Sequence, residues 1–135
     1  MRILLVENSP EWQDSIRRGL PDHEVDLAPS YDEALALLDV GPEYALAIVD
    51  LNLNDSETYN PLDMLGGDVL EHLRENYPST RRIALTAFPS ATVRQIFERY
   101  DIDDLLLKQR LTIADLRKAV RAALGRAGAD TPPDV

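Results

Sequence analysis

Apolar and polar positions alternate along this chain in blocks of two different periods. Short runs of aliphatic residues stand at Ile3–Val6, Val25–Ala28, Ala45–Val49, Ile83–Thr86 and Leu105–Leu107, and each predicts a strand. Between them apolar residues recur every three or four positions, the spacing of an amphipathic helix. Ser9-Pro10 opens the first of these segments as an N-cap followed by proline at the first helical position, and Trp12, Ile16 and Leu20 then share one face. Ser30 leads Tyr31–Leu38, which ends at Asp39-Val40-Gly41-Pro42; Gly67–Glu75 is stopped by Pro78; Ala91–Tyr100 carries Val93, Ile96, Phe97 and Tyr100. Thr112-x-x-Asp115 has the form of a capping box, and Ile113, Leu116, Val120 and Leu124 make the stripe of the last helix.

This strict alternation of strand and helix predicts an α/β fold in three layers, a five-stranded parallel sheet with helices on both faces. A strand order of 2-1-3-4-5 puts the third strand at the centre. Two segments break the rhythm. The stretch 52–66, "NLNDSETYNPLDMLG", is a long polar insertion after the third strand, and 126–135 reads as a flexible tail or linker, leaving residues 1–125 as the domain. The tail composition also suits a tether to an effector.

Charge and composition narrow the function. The 135 residues carry a formal net charge of −10, with 24 acids against 14 Lys plus Arg, so no basic face for phosphate backbones is expected and direct nucleic-acid binding is disfavoured. Cysteine is absent, which excludes disulfides and thiolate metal sites. No apolar run approaches the roughly 20 residues of a membrane span, and the N-terminus does not have the form of a signal peptide, so a cytoplasmic location is the expectation.

Ligands of open parallel sheets bind beyond the carboxyl ends of the strands, so the residues just past each strand are the candidates. They are Glu7 and Asn8 after the first, Asp50 and Asn52 after the third, Thr86 after the fourth and Lys108 after the fifth. Carboxylates and an amide are hard oxygen donors of the kind Mg²⁺ takes. A hydroxyl and an ammonium can hold phosphoryl oxygens, and an Asp carboxylate can itself attack phosphorus. Together they suit a phosphoryl-accepting site better than an acid/base pair.

In that order and at strand ends, Glu7-Asn8, Asp50, Thr86-Ala87 and Lys108 resemble the receiver (CheY-like) domain of two-component response regulators, a flavodoxin-like fold, over residues 2–124. The resemblance implies that Asp50 is the phosphoacceptor, served by a sensor histidine kinase or phosphotransfer protein. It implies that Glu7, Asn8, Asp50 and the Asn52 backbone carbonyl hold Mg²⁺, that Thr86 binds a phosphoryl oxygen, and that Lys108 pairs with the aspartate or its phosphate. It further implies no enzymatic turnover beyond slow self-phosphorylation and self-dephosphorylation. Output would pass through the face of the fourth helix, fifth strand and fifth helix, about 92–124, to a downstream effector protein or domain or into a homodimer.

Three positions depart from the family pattern. Asn8 stands where a second acid is usual, so Mg²⁺ is expected to bind more weakly; Gln109 stands where a cis proline is usual; Leu105 stands where an aromatic switch residue is common. These departures motivate a second reading, a pseudo-receiver that works as a phosphorylation-independent interaction module. A phosphatase or nucleotidyl-transfer enzyme is a third, weakened because Asp50-x-Asn52 matches DxD only in part and no general acid comes after it. Trp12 is expected in the core, and His23 and His72, isolated from other ligands, in structural or solvated roles. Asp55, Glu57 and Asp63 of the insertion are expected to face water.

Overall fold

The computed structural model describes residues 1–51, 65–87 and 93–130. Five strands, β1 (Arg2–Val6), β2 (Glu24–Ala28), β3 (Leu46–Asp50), β4 (Arg81–Thr86) and β5 (Asp104–Leu107), alternate with five helices, α1 (Pro10–Gly19), α2 (Tyr31–Val40), α3 (Leu65–Asn76), α4 (Val93–Tyr100) and α5 (Ile113–Asp130). The strands form one parallel sheet in the order β2-β1-β3-β4-β5. The architecture is the one that the alternation predicts, and the order is the one expected of a CheY-like, flavodoxin-like fold.

Side chains alternate across the sheet and divide the core into two layers. Leu4, Val6, Ala47, Val49 and Ala84 face one way and pack with residues of α2 and α3 and with Tyr100 of α4. Ile3, Leu5, Leu46, Ile48, Ile83 and Leu85 face the other way and pack with Ile16 of α1 and with Leu116, Ala119, Val120 and Ala123 of α5. Every residue of β3 is buried, as expected of a central strand covered on both faces.

The helix starts depend on their caps. Ser30 Oγ accepts from Glu33 N–H at 3.2 Å, and Thr112 Oγ1 accepts from Asp115 N–H at 3.0 Å, each satisfying a donor that the helix leaves open. Several boundaries differ from the sequence pattern. β3 includes Asp50, and β4 starts at Arg81, because Arg82 is a buried arginine whose guanidinium donates to the carbonyls of Thr80 and Asp101, each at 3.2 Å. Helix α5 continues past Gly125 to Asp130; no heavy atom lies within 4 Å of the Cβ position at Gly125, and alanine-rich sequence carries the helix through it. The linker expected from residue 126 is therefore helical as far as 130, and 131–135 lie outside the described residues. So does most of the 52–66 insertion.

Candidate functional site

The carboxyl ends of β1, β3 and β5 bring together three charged side chains. Glu7 comes directly after β1, and its N–H still donates to Ala28 O at 3.1 Å, which prolongs the sheet to the site. Asp50 is the last residue of β3. Lys108 opens a 3-10 turn (Lys108–Arg110) after β5. Its ammonium lies 2.7 Å from Glu7 Oε2 and 3.2 Å from Asp50 Oδ2. Glu7 and Asp50 are both buried, and Lys108 keeps only 10% of its side chain exposed.

Burial without water makes such a trio costly unless its charges are paired and hydrogen-bonded. Lys108 supplies the pairing, and Ser9 N–H donates to Glu7 Oε1 at 3.0 Å. Gln13 Nε2 donates to the Glu7 carbonyl at 2.6 Å and fixes the backbone where the chain leaves β1. Burial pushes the Glu7 carboxyl above its ordinary range, the charge of Asp50 pushes it the same way, and Lys108 and Ser9 hold it back.

Thr86 is buried at the end of β4, next to Asp50 in the sheet order, with Leu85 in register with Asp50. Asn8 is half-buried between Glu7 and Ser9. Asn52, the remaining predicted ligand, lies outside the described residues, as do Asp55, Glu57 and Asp63. Among the described residues no group of three or more His, Asp and Glu is gathered for a metal. A cation here would draw on the Glu7 and Asp50 carboxylates plus neutral oxygens, a hard-oxygen donor set that suits Mg²⁺ in kind.

Glycine sets how closely the next helix approaches. A Cβ on Gly66, in the first turn of α3, would collide with the Asp50 carbonyl oxygen and lie 2.6 Å from Leu51 Cα. Only a residue without a side chain lets α3 begin against the backbone of the central aspartate.

Other residues make contacts around this edge of the sheet that the sequence pattern did not predict. Trp12 is only partly buried and packs on the edge of the α1/α5 core layer, with the Lys108 ammonium 5.3 Å from its ring centroid. Gln109 donates from Nε2 to Ala87 O at 2.7 Å, tying the turn after β5 to the residue just past Thr86. Among the described residues no peptide bond is cis. Leu105 is half-buried and packs against the core layer that holds Tyr100 and Ile102. None of these contacts has a sequence signature, because each joins residues far apart in the chain or depends on a rotamer. His72 is near Asn76 Nδ2, at 3.2 Å from Nδ1, and 3.9 Å from Asp39, a structural setting on α3.

Comparison with known structures decides the fold. A receiver domain protein (CheY-like) from Methanospirillum hungatei superposes with a TM-score of 0.81 at 23% identity, over 96% of this chain and 98% of that one. The fold is that of a response regulator receiver domain. Two further receiver-fold neighbours carry more in their names. The N-terminal domain of a response regulator/sensory box/GGDEF three-domain protein from Carboxydothermus hydrogenoformans matches with a TM-score of 0.78 at 19% identity, over 96% of this chain and 98% of that one. A response regulator from Burkholderia pseudomallei, solved with a phosphorylated aspartic acid, calcium ion and citrate, matches with a TM-score of 0.73 at 21% identity, over 96% of this chain and 71% of that one. No protein-family model matches the sequence, and no curated protein does.

Proposed function

We propose that this receiver fold accepts a phosphoryl group on Asp50 from a sensor histidine kinase or a phosphotransfer protein. The observation that carries this reading is the buried cluster in which Lys108 contacts both Glu7 and Asp50 at the carboxyl edge of the sheet. A carboxylate oxygen of Asp50 would attack phosphorus as the P–N bond to the donor histidine breaks, and the departing imidazole would take a proton from solvent. Mg²⁺, held by Glu7, Asp50, an oxygen of Asn8 and the Asn52 carbonyl, would supply charge for the transferring phosphoryl group. Thr86 would bind one phosphoryl oxygen, and Lys108 would move its pairing from carboxylate to phosphate. The solved neighbour that carries a phosphorylated aspartic acid and a calcium ion supports this chemistry by analogy of fold.

Output would run through the face made by α4, β5 and α5, read by an effector or by a second copy of the chain. A neighbour that is one domain of a three-domain response regulator supports a downstream effector. Apart from slow self-phosphorylation and self-dephosphorylation no turnover is proposed. The acidic charge balance leaves direct nucleic-acid binding outside the proposal. Among the described residues no helix is long and apolar enough to cross a membrane, and a cytoplasmic setting fits the proposed kinase partner. Labelling with a small phosphodonor and Mg²⁺, read as intact mass for the wild type and for Asp50→Asn, tests the reading.

One observation favours a second reading, the pseudo-receiver. Only two carboxylates stand at the site among the described residues, and Lys108 already engages both. In that case the fold acts as an interaction module without phosphorylation. Mg²⁺ titration by calorimetry separates the two: millimolar or tighter binding that disappears in Asp50→Ala supports the phosphoacceptor.

A further inference from the structure

We propose that Trp12 is a positioning residue for Lys108, a role set by the face of its indole rather than by its bulk. Four contacts close a ring around the site. Ser9 N–H donates to Glu7 Oε1 at 3.0 Å, and Trp12 N–H donates to Ser9 Oγ at 3.5 Å. The Trp12 ring centroid lies 5.3 Å from Lys108 Nζ, and Lys108 Nζ returns to Glu7 Oε2 at 2.7 Å. The first turn of α1 is thereby joined to the site at both ends, through the Glu7 carboxylate on one side and the Lys108 ammonium on the other.

The chemistry favours an aromatic face at this point. Indole is the strongest of the aromatic side-chain partners for a cation, and the attraction grows when the cation is desolvated. Lys108 has little water left to it, so its remaining surface needs a partner that does not compete for the carboxylates with charge of its own. A lysine stem is long and its rotamers are many; a face against the ammonium narrows the set to those that keep Nζ between Glu7 and Asp50. Trp12 also borders a groove with Ile16, Leu111 and Leu116, and it packs against the core layer that contains Ile16 and Leu116. The consequence for phosphoryl transfer rests on the function proposed above: a Lys108 released from the ring would meet the incoming phosphoryl group less often in the productive place.

Leucine and phenylalanine separate the two roles, since both fill apolar space and only phenylalanine keeps an aromatic face. The test is NMR on the free protein together with labelling by acetyl phosphate and Mg²⁺. Lys108 side-chain protons, assigned by their loss in Lys108→Met, are expected upfield in the wild type because of the ring current. The shift is expected to vanish in Trp12→Leu and to keep its sign in Trp12→Phe. Labelling is expected to slow roughly 3- to 10-fold in Trp12→Leu and to stay near wild type in Trp12→Phe. An unchanged Lys108 shift in Trp12→Leu overturns the proposal whatever the labelling does. Equal slowing in both variants also overturns it, because bulk would then be what matters. Beside a wild type that is not labelled at all, a Lys108 side-chain order parameter that falls in Trp12→Leu and holds in Trp12→Phe upholds the positioning and rejects the phosphoacceptor function instead; an order parameter unchanged in Trp12→Leu overturns the positioning.

Discussion

The Lys108 ammonium lies 2.7 Å from Oε2 of Glu7, a carboxylate with no exposed side-chain surface. Asp50 completes the cluster at 3.2 Å from the same nitrogen. Lys108 therefore pairs with two buried carboxylates at once, and that shared contact governs most of the behaviour expected of the site.

Removing the cation leaves the two carboxylates facing each other without solvent. Lys108→Met is expected to cost about 3 kcal/mol of folding free energy at neutral pH, the scale seen when one partner of a buried pair is lost. Adding Glu7→Gln to that variant should recover part of the loss, since one of the uncompensated charges goes. Urea denaturation of the two single variants and the double variant measures the coupling; strict additivity would show that the contact carries no energy.

Stability should depend on pH through Glu7. Its folded carboxyl titrates above the ordinary glutamate range, with burial the largest cause and Asp50 the next. The folded state then binds more protons than the unfolded one over the interval between the two values. Stability contributed by this group is present below the ordinary glutamate value and falls as pH rises through the shifted one. Denaturation curves taken across the mildly acidic range should show this decline in the wild type and a flatter profile in Glu7→Gln. Superimposable profiles would mean that Glu7 titrates normally.

On the function proposed above, Asn8 would limit the affinity for Mg²⁺. A carboxylate there adds a full negative charge beside Glu7, and Asn8→Asp is expected to tighten Mg²⁺ binding by about tenfold or more. Calorimetric titration of both proteins at one ionic strength checks it. Equal affinities would place the position outside the coordination sphere.

The two glycines that begin α3 should respond differently to alanine. Gly66→Ala drives a methyl group into the backbone at Asp50 and Leu51, whereas at Gly67 the nearest obstacle is the Tyr100 hydroxyl, 2.6 Å from the added carbon and at the end of a side chain that can turn. Gly66→Ala is expected to cost about 3 kcal/mol and Gly67→Ala about 1 kcal/mol. Thermal unfolding of the pair tests the order, and a milder effect at Gly66 would contradict the close approach of helix and strand.

Much of this fold is readable in the sequence because it depends on period and punctuation. The runs at Ile3–Val6 and Ala45–Val49, and the starts at Ser9, Ser30 and Thr112, are local signals, and the strand order is consistent with layer packing. Glu7, Asp50, Thr86 and Lys108 stand at the carboxyl ends of four strands, and parallel strands all end at one edge, so the four come forward together. Features with a tertiary cause are not legible in this way. Arg81-Arg82 does not look like the start of a strand until Thr80 and Asp101 are seen to satisfy the buried guanidinium. Gly125 looks like a helix end by propensity, yet α5 passes through it. Trp12 fits the stripe of α1 by spacing alone, and its place over Lys108 joins residues 96 positions apart, which no local pattern encodes.

The central claim is that Asp50 can take a phosphoryl group, and intact-mass spectrometry after incubation with acetyl phosphate and Mg²⁺ tests it most directly. The wild type should gain the mass of one phosphoryl group, and Asp50→Asn should gain nothing. An unmodified wild type, beside a competent receiver modified under the same conditions, would contradict the claim.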